Sequence, residues 1–296
     1  MNILITGGAG YLGMEISKLL LSKNHNVTVL DKLDYNNTNL SSFIKHKNFN
    51  LHKIDIRKKN DLKPFKKNTD LLIHLAGIVG YPACNANPNL AKSTNITGSK
   101  NISEIFKDTK KINFNTCTVY GEVTSKTCKE DTKVNPKTLY ARTKFKGEQF
   151  FNNSNSICLR LSTVFGISET MRHDLLIHDF INTTIKNKYL EIYQKGFIRN
   201  FISVEDISRL CLFIADNKKF KNGIYNVGDK RLNLTKEDLN NILINKIKYK
   251  YKYKEFDKDQ EYRDYILDVS KLYSTGFKCK SSFNDNIDYL IKFYSI

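Results

Sequence analysis

Short apolar runs alternate with helical segments over the first half of the 296-residue chain, and this alternation constrains the fold most strongly. Strands are predicted at 2–6, 26–31, 49–56, 70–76, 111–116 and 156–162, and helices at 13–24, 88–107 and 137–152. Repeated strand-helix-strand units imply a parallel sheet with right-handed crossovers and helices on both faces. We therefore predict an α/β fold built on a doubly wound parallel sheet.

The alternation weakens after Gly166, which indicates a change of organisation in the last part of the chain. With 40% hydrophobic and 11% aromatic residues the chain can bury a large core, so one large or two unequal domains are expected. We assign the sheet to residues 1–166 and a smaller region, laid over the carboxyl edge of the sheet, to residues 167–296. Residues 197–216 are expected to return to the first domain.

The net charge of +18 raises nucleic acid as a partner. The lysines, however, are spread over the whole chain, and only "KIKYKYKYKEF" (246–256) interleaves basic and aromatic residues in a run. Its strict alternation also fits a solvated strand with one aromatic and one lysine face, which is the interpretation we favour. We expect no nucleic-acid partner, although a diffuse basic surface can still attract anionic substrates.

The six cysteines are scattered, without a CxxC pair or a His/Cys cluster at zinc-ligand spacing, so no metal site is expected. Reduced thiols of this kind are typical of a cytoplasmic protein, which is the location we predict. The opening "MNILITGG" predicts a strand and a turn rather than a signal peptide. No apolar run approaches the roughly 18 residues of a membrane span, so no membrane partner is expected.

A glycine-rich turn, "TGGAGYLG" (6–13), directly follows the first strand and opens a helix. In that context glycines permit a tight turn, let the backbone approach a pyrophosphate and leave its charge at the helix N-terminus. A glycine turn without a ligand is the alternative. The clustering of four of the 14 glycines at this junction favours a dinucleotide site. The expected contacts come from Gly7, Gly10, Tyr11, Leu12 and Gly13.

Two acidic residues end the next strands. Asp31 can accept hydrogen bonds from an adenosine ribose, and its carboxylate would repel a 2′-phosphate. Because only Lys32, and no arginine, stands beside it, NAD is preferred over NADP. Asp55 and Ile56 are placed to meet the adenine amino group and ring face, although an ordinary strand-ending aspartate remains an alternative.

The segment "YARTK" (140–144) gives a candidate general base. It falls at the start of a predicted helix after the fifth strand, where residues four apart share one face. The Lys144 ammonium can therefore approach both the Tyr140 ring and a nicotinamide ribose. A nearby positive charge favours the phenolate form of a tyrosine, which makes Tyr140 a plausible base.

The ordered motifs resemble those of extended short-chain dehydrogenases acting on nucleotide sugars. They are "TGGAGYLG", Asp31, "HLAG" (74–77), "TVYG" (118–121), "YARTK", "LRLSTVFG" (159–166), "RNFISVEDI" (199–207) and "YNVGD" (225–229). The resemblance implies an NAD-binding Rossmann domain with a smaller C-terminal domain that binds a UDP-, GDP-, CDP- or dTDP-linked sugar. It also implies a homodimer formed through a helix bundle that includes the YxxxK helix.

The resemblance assigns roles to individual residues. Tyr140 would be the base and acid, Lys144 would hold the nicotinamide ribose, and Thr116 would hydrogen-bond the reacting oxygen. Cofactor contacts are also implied for Leu75, Ala76 and Gly77. The implied reaction oxidises a sugar hydroxyl, usually at the 4-position, to a ketone. Return of the hydride to the opposite face gives an epimer, elimination gives a dehydrated sugar, and release gives a net dehydrogenase.

The chain departs from the dehydratase pattern after Thr116. Sugar 4,6-dehydratases place Asp-Glu there, because elimination needs an acid and a base, whereas this chain has Cys117 and Thr118. Dehydration is therefore disfavoured, although a carboxylate from another loop could supply the missing group. Cys117 as a nucleophile lacks a nearby histidine, and we expect a small, partly buried residue beside the substrate. Tyr120 is expected to serve packing.

The substrate side also departs from the common pattern. Thr163 replaces a common asparagine, and the loop after it contains "MRHDL", which resembles a subgroup that includes enzymes acting on nucleotide-linked heptoses for surface polysaccharide. Arg172, Arg199 and Arg263 are the best-placed arginines for a diphosphate, because a guanidinium matches two phosphate oxygens. Surface ion pairing remains an alternative for Arg172 and Arg263. His173 is expected to be an exposed loop residue rather than a ligand or acid.

Three functions remain open from the sequence. The leading one is an NAD-dependent nucleotide-sugar epimerase or 4-dehydrogenase in surface-polysaccharide sugar biosynthesis. The second is a nucleotide-sugar dehydratase or ketoreductase on the same scaffold. The third is a non-catalytic NAD-binding protein recruited to RNA through its basic surface, and the intact Thr116, Tyr140 and Lys144 argue against it.

Overall fold

The computed structural model describes residues 1–34, 40–123, 126–152, 155–255 and 264–296. Its strands are β1 (Asn2–Thr6), β2 (Asn26–Asp31), β3 (Phe49–Lys53), β4 (Leu71–His74), β5 (Lys110–Thr116), β6 (Thr127–Cys128), β7 (Ser156–Leu161), β8 (Thr163–Phe165), β9 (Tyr189–Tyr193), β10 (Ile198–Ser203), β11 (Gly223–Val227), β12 (Asn233–Thr235), β13 (Lys250–Lys254) and β14 (Ile266–Leu267). Its α-helices are α1 (Tyr11–Ser22), α2 (Ser41–Ile44), α3 (Lys59–Leu62), α4 (Tyr81–Ala86), α5 (Pro88–Lys92), α6 (Ser99–Ile105), α7 (Leu139–Gln149), α8 (Leu176–Asn187), α9 (Val204–Asp216), α10 (Lys236–Ile244), α11 (Ser270–Tyr273) and α12 (Phe283–Tyr294).

Seven of the described strands form one sheet in the order β11, β7, β5, β4, β1, β2, β3, and every pairing is parallel. The predicted doubly wound parallel sheet is confirmed. The strand order reverses between β1 and β4, so the connections after these two strands run in opposite directions. This leaves a crevice at the carboxyl ends of β1 and β4. Ligands of open α/β sheets bind in this crevice.

Both faces of the sheet are buried, as the continuous apolar strands predict. Alternate residues of β1 point to opposite faces, so Ile3 and Ile5 join one core cluster and Leu4 joins another. The first cluster includes apolar residues of α1 and α9, and the second includes Ile102 of α6 and Phe106. Helices therefore cover the sheet on both sides.

The predicted elements and the observed ones differ mainly at their ends. The strand expected at 49–56 ends at Lys53, and the one expected at 70–76 spans Leu71–His74. The single helix expected over 88–107 is divided into α5 and α6 by a π-helical turn, Ser93–Gly98. Asn95 of this wider turn directs its side chain to a neighbouring loop, a contact that the helical periodicity does not encode.

The second half of the chain contributes to both parts of the structure. Residues of α9 join the main core, and β11 pairs with β7 as an edge strand of the sheet. A separate core, which includes Phe165, Ile181, Leu190 and Leu243, lies among β8, α8, β9, α10 and α12. The return of 197–216 to the first domain and the boundary at Gly166 stay predictions, since the chain crosses between the two cores more than once.

The basic and aromatic segment forms a strand over Lys250–Lys254, and this strand pairs in parallel with β9. Tyr249 and Tyr253 pack against the second core, whereas Lys250 and Lys252 are exposed. Phe256, the last residue of the predicted strand, lies outside the described residues. None of the helices in the described part of the chain has the length and apolar character that crossing a bilayer requires.

A buried ion pair fastens α7 to the sheet. The Arg160 and Glu148 side chains are only 4% and 1% exposed, and their Nη2 and Oε1 atoms lie 2.7 Å apart. Asn115 of β5 also donates to Glu148, and Tyr120 accepts a hydrogen bond from Arg160 at 3.1 Å. The Tyr120 hydroxyl then donates to Asn226 of β11 at 2.6 Å, so the packing role expected for Tyr120 includes a buried hydrogen-bond network.

We expect Glu148→Gln to lower the free energy of unfolding by about 3–5 kcal/mol, because it leaves the Arg160 charge buried without its partner. Urea unfolding at neutral pH measures the change. Glu104→Gln is the control, since Glu104 forms an exposed pair with Lys59 and its loss should change stability very little. Equal stabilities for the two variants would contradict the importance assigned to the buried pair.

Candidate active site

The glycine turn closes at the carboxyl end of β1. Gly7 has a φ of +70°, and a Cβ there would lie 2.6 Å from the backbone nitrogen of Ala76. A Cβ at Gly13 would lie 2.4 Å from the Gly8 Cα, so both positions need glycine. Helix α1 begins at Tyr11, and no side chain of the described residues caps it at Gly10.

The amides of the first helical turn, which belong to Tyr11, Leu12 and Gly13, have no acceptor within the helix. They therefore add to the partial positive charge at the N-terminus of α1. A diphosphate is the anion that such a turn accommodates, because its oxygens can accept from several backbone amides at once. The predicted cofactor residues of the turn fit a dinucleotide.

Asp31 lies beside this turn. Its Oδ2 accepts the Ala9 amide at 3.0 Å, and its Oδ1 accepts the Leu33 amide at 2.9 Å. The half-buried carboxylate is thereby oriented at the end of β2, next to the helix N-terminus. This placement suits the predicted contact with an adenosine ribose.

Asp55 and Ile56 sit in a more enclosed environment than the sequence suggests. The Arg57 guanidinium binds both Asp55 oxygens, with Nε at 2.9 Å and 3.0 Å, and this hydrogen bonding lowers the pKa of Asp55 despite its partial burial. The Ile56 side chain is 4% exposed and packs against Gly98. Their adenine contacts stay predictions, and Arg57 is a partner that the sequence reasoning missed.

The predicted cofactor segment Leu75–Gly77 follows β4, and the next residue, Ile78, is hydrogen-bonded to the π-helical turn. Asn95 accepts the Ile78 amide at 2.8 Å and donates to the Ile78 carbonyl at 2.9 Å. Its amide also donates to Thr143 of α7 at 3.0 Å. Asn95 therefore joins this segment to the helix that carries the YxxxK pair, a role that no spacing in the sequence indicates.

Tyr140 and Lys144 lie one turn apart on α7, and both are half-buried. The Thr138 side chain caps this helix by accepting the Ala141 amide at 3.2 Å. Lys144 Nζ donates to the Phe114 carbonyl of β5 at 2.7 Å. Burial lowers the pKa of Lys144 to about 8, although the Glu148 charge opposes the shift.

Thr116 is the last residue of β5 and is buried at the carboxyl edge of the sheet. Its Oγ1 accepts the Thr118 amide at 3.2 Å and lies 3.1 Å from the Thr118 Oγ1. Because Lys144 bonds to β5 two residues before Thr116, the three predicted catalytic residues belong to two elements that are in direct contact. Their association at one edge of the sheet fits the predicted chemistry.

Three of the predicted substrate residues line a common small cleft: Cys117, Thr163 and Arg199. Arg199 is 4% exposed, so its cation lies within the protein rather than on its surface. Tyr265 and Leu267, just before and within β14, complete this wall, and the Tyr265 hydroxyl donates to the Cys117 carbonyl at 2.6 Å. The sequence reasoning missed Tyr265, which belongs to no recognisable motif.

Arg172 occupies a different place from Arg199. It forms a two-pronged pair with Asp174, Nε to Oδ1 at 2.7 Å and Nη2 to Oδ2 at 2.5 Å. Burial lowers the pKa of Arg172, but the pair with Asp174 outweighs it and raises the pKa, and the phenols of Tyr140 and Tyr11 act in the same direction. Its contact with a diphosphate stays a prediction. Arg263 lies outside the described residues.

The loop that carries Arg172 crosses the glycine turn. The Tyr11 hydroxyl donates to the Gly166 carbonyl at 2.8 Å, and Ser168 donates back to the Tyr11 carbonyl at 2.8 Å. Thr170 donates to the Ala9 carbonyl at 3.1 Å. The glycine turn and the loop that carries Arg172 are therefore linked by direct hydrogen bonds. His173, in the same loop, is exposed and lies 2.9 Å from the Tyr294 hydroxyl.

One group of potential metal ligands occurs among the described residues: Asp206, Asp229 and Cys279, whose ligand atoms lie within 4.8 Å of one another. Asp206 pairs with Arg209, and Asp229 pairs with Arg231 at 2.6 Å. Arginine charges thus already compensate the two carboxylates. The geometry favours ion pairing at this place.

The sequence model of the family described as "NAD dependent epimerase/dehydratase family" matches residues 3–228. The chain belongs to this family. The resemblance inferred from the ordered motifs is confirmed, and so is NAD as the cofactor of this epimerase/dehydratase family member.

Relatives of the epimerase/dehydratase family match over nearly the whole chain. A Methanocaldococcus jannaschii protein named "Putative UDP-glucose 4-epimerase" is 30% identical over 305 residues, covering 96% of this chain and 95% of the relative. The structure of UDP-glucuronic acid 4-epimerase from Bacillus cereus, in complex with UDP-glucuronic acid and NAD, has a TM-score of 0.87 at 24% identity and covers 99% of both chains.

A dehydratase has the same architecture. The structure of DesIV, a dTDP-glucose 4,6-dehydratase from Streptomyces venezuelae, has a TM-score of 0.88 at 22% identity, covering 99% of this chain and 97% of DesIV. At these identities the structural likeness shows the fold alone. Whether a family member of this shape epimerises or dehydrates depends on individual side chains, and the fold does not distinguish the two reactions.

We expect Asp31→Asn to weaken NAD binding by about tenfold, on the order of one charged hydrogen bond. Both Asp31 oxygens accept backbone amides, so an asparagine NH₂ would face a donor and misorient the group. Titration calorimetry with NAD⁺ measures the change. Asp34→Asn is the control, since Asp34 pairs with Lys32 on the surface at 2.6 Å; an equal loss in both variants would contradict the ribose contact.

Proposed function

We propose that the protein oxidises a nucleotide-sugar hydroxyl at the 4-position with NAD⁺, as an epimerase or a 4-dehydrogenase. The observation that carries this proposal is the contact between α7, which carries Tyr140 and Lys144, and β5, which ends at Thr116. Cys117, the next residue, lines a cleft together with the buried Arg199. The name of the Methanocaldococcus jannaschii relative, which includes UDP-glucose 4-epimerase, supports the same class of reaction.

Three residues of the chain have different roles in proton transfer. Tyr140 accepts the proton of the sugar hydroxyl and later returns it, and Thr116 donates a hydrogen bond to the same oxygen. The Lys144 ammonium holds the nicotinamide ribose and favours negative charge on Tyr140. When bound, NAD⁺ supplies the acceptor for the hydride on the reacting carbon. Gly7, Gly10 and Gly13 let its diphosphate approach the backbone.

The substrate diphosphate is assigned to Arg199. A buried guanidinium attracts an anion strongly and can bind two phosphate oxygens at once. Cys117 and Thr163 would contact the sugar or the linking phosphate in the same cleft. A nucleotide-linked heptose for surface polysaccharide belongs among the candidate substrates because of the "MRHDL" loop. We further propose a cytoplasmic homodimer that uses α7 in its interface.

Dehydration is the less favoured outcome on this scaffold. Elimination needs an acid and a base next to Thr116, and Cys117 and Thr118 supply neither. Cys117 and Thr118 therefore favour oxidation with return or release of the hydride over loss of water.

A panel of UDP-, GDP-, CDP- and dTDP-sugars, including nucleotide-linked heptoses, tests the proposal with NAD⁺ present. An epimerase should give an inverted sugar without net NADH, and a dehydrogenase should give net NADH. NMR of the sugar and the absorbance of NADH, recorded together, distinguish the two. Tyr140→Phe should lower turnover by roughly 100- to 10,000-fold and still bind NAD. Tyr289→Phe, a change on an exposed helix face, is the control.

Two results of this panel would overturn parts of the proposal. Loss of water from the sugar would show a dehydratase and would refute the interpretation of Cys117 and Thr118. Full turnover by the Tyr140→Phe variant would remove the proposed base. Salt-sensitive RNA binding without turnover of any sugar would instead support a non-catalytic protein.

The pH dependence of kcat/KM should reflect the protonation of Lys144. With its pKa lowered to about 8, Lys144 is charged below that pH and loses its proton as the pH rises through it. We therefore expect kcat/KM to fall on the alkaline side at a pH of about 8. Lys144→Arg keeps the charge at higher pH, so its alkaline limb should move upward. Identical alkaline limbs in the two proteins would show that another group titrates there.

A further inference from the structure

Thr118 lies against the residue proposed to hold the sugar oxygen. Its hydroxyl oxygen is 3.1 Å from the Thr116 hydroxyl oxygen, and its backbone amide donates to that same oxygen at 3.2 Å. Both side chains are buried, with 3% of Thr118 and 8% of Thr116 exposed. Two donors from one residue therefore converge on the Thr116 oxygen.

The direction of the hydroxyl contact follows from the number of protons available. A hydroxyl offers one proton and two acceptor positions, and the Thr118 amide already fills one acceptor position of Thr116. If Thr116 gave its single proton to Thr118, it would have none left for the sugar. If Thr118 gives its proton to Thr116, both acceptor positions of Thr116 are filled and its own proton is available to a ligand.

We propose that Thr118 is a positioning residue that donates its hydroxyl proton to Thr116 and so commits the Thr116 proton to the reacting sugar oxygen. The inference rests on the proposed function, because it needs a sugar oxygen that Thr116 serves. It gives Thr118 a role in the reaction, at a position where dehydratases have an acidic residue. No additional covalent step is involved.

The reacting oxygen needs such a donor most when it becomes a carbonyl. It has then given its proton to Tyr140, and it carries lone pairs that only accept hydrogen bonds. A hydroxyl that itself accepts two hydrogen bonds is polarised and donates more strongly than one that accepts none. Thr118 should therefore act on the chemical step and not on the binding of the nucleotide.

The backbone around Thr116 does not depend on the Thr118 hydroxyl. The Tyr265 hydroxyl fixes the Cys117 carbonyl at 2.6 Å, and Asn115 accepts the Thr116 amide at 2.9 Å. A valine at 118 keeps the shape of threonine and the backbone amide that donates to the Thr116 hydroxyl oxygen. Replacement by valine thus removes one proton donor while the turn stays in place.

The test compares Thr118→Val and Thr118→Ser in the full chain with NAD and a substrate found by the panel. Thr118→Val should lower kcat by about tenfold with little change in KM, whereas Thr118→Ser should keep most of the wild-type rate. Rates are measured with enzyme in excess of substrate, so that slow variants remain quantifiable. Thermal unfolding and NAD affinity should be the same in all three proteins.

A double-mutant cycle with Thr116→Val separates positioning from packing. In that background Thr118→Val should have no further effect, because its partner hydroxyl is already gone. An equal loss in both backgrounds, an unchanged kcat in Thr118→Val, or a serine variant as slow as the valine variant would each overturn the inference. A wild-type protein that turns over no nucleotide sugar would overturn the proposed function as well, so the two failures are distinguishable.

Discussion

The attachment of α7 to the sheet is the interaction on which the proposed site depends. Glu148 and Arg160 form their ion pair with almost no exposed surface, and Lys144 donates to a carbonyl of β5 one helical turn earlier. In a low-dielectric interior such contacts are costly to break, since each would leave a charge without a partner. Tyr140, on the same helix, is therefore held at a fixed distance from the end of β5, where Thr116 lies.

Neutral hydrogen bonds fix a second contact, between the glycine turn and the loop after β8. The loop after β8 bonds to the glycine turn through Tyr11, Ser168 and Thr170, and it continues to Arg172 near Tyr140. Backbone and hydroxyl hydrogen bonds of this kind set relative position without adding charge. The glycine turn and the loop after β8 are thus held together as one hydrogen-bonded unit.

Part of this arrangement could be predicted from local sequence. Glycines at Gly7 and Gly13 are required by a positive φ and by close backbone contacts, and such requirements appear in the sequence as the residue itself. Asp31 could be placed because strand-ending positions of a parallel sheet meet at one edge. Asn95 and Tyr265 could not, because their partners, Ile78 and Cys117, are chosen by packing and no spacing encodes them.

The sequence by itself determined the alternation of strands and helices in the first half of the chain, the glycine turn and the YxxxK pair, because apolar periodicity and steric demands act over a few residues. Only the tertiary structure decided that Arg199, Cys117 and Thr163 share a cleft, that Arg172 pairs with Asp174, and that the Thr118 and Thr116 hydroxyl oxygens lie 3.1 Å apart. These contacts depend on how β5, β8, β10 and α7 approach one another. That approach is set by burial of the two cores, a property of the whole chain rather than of any short segment.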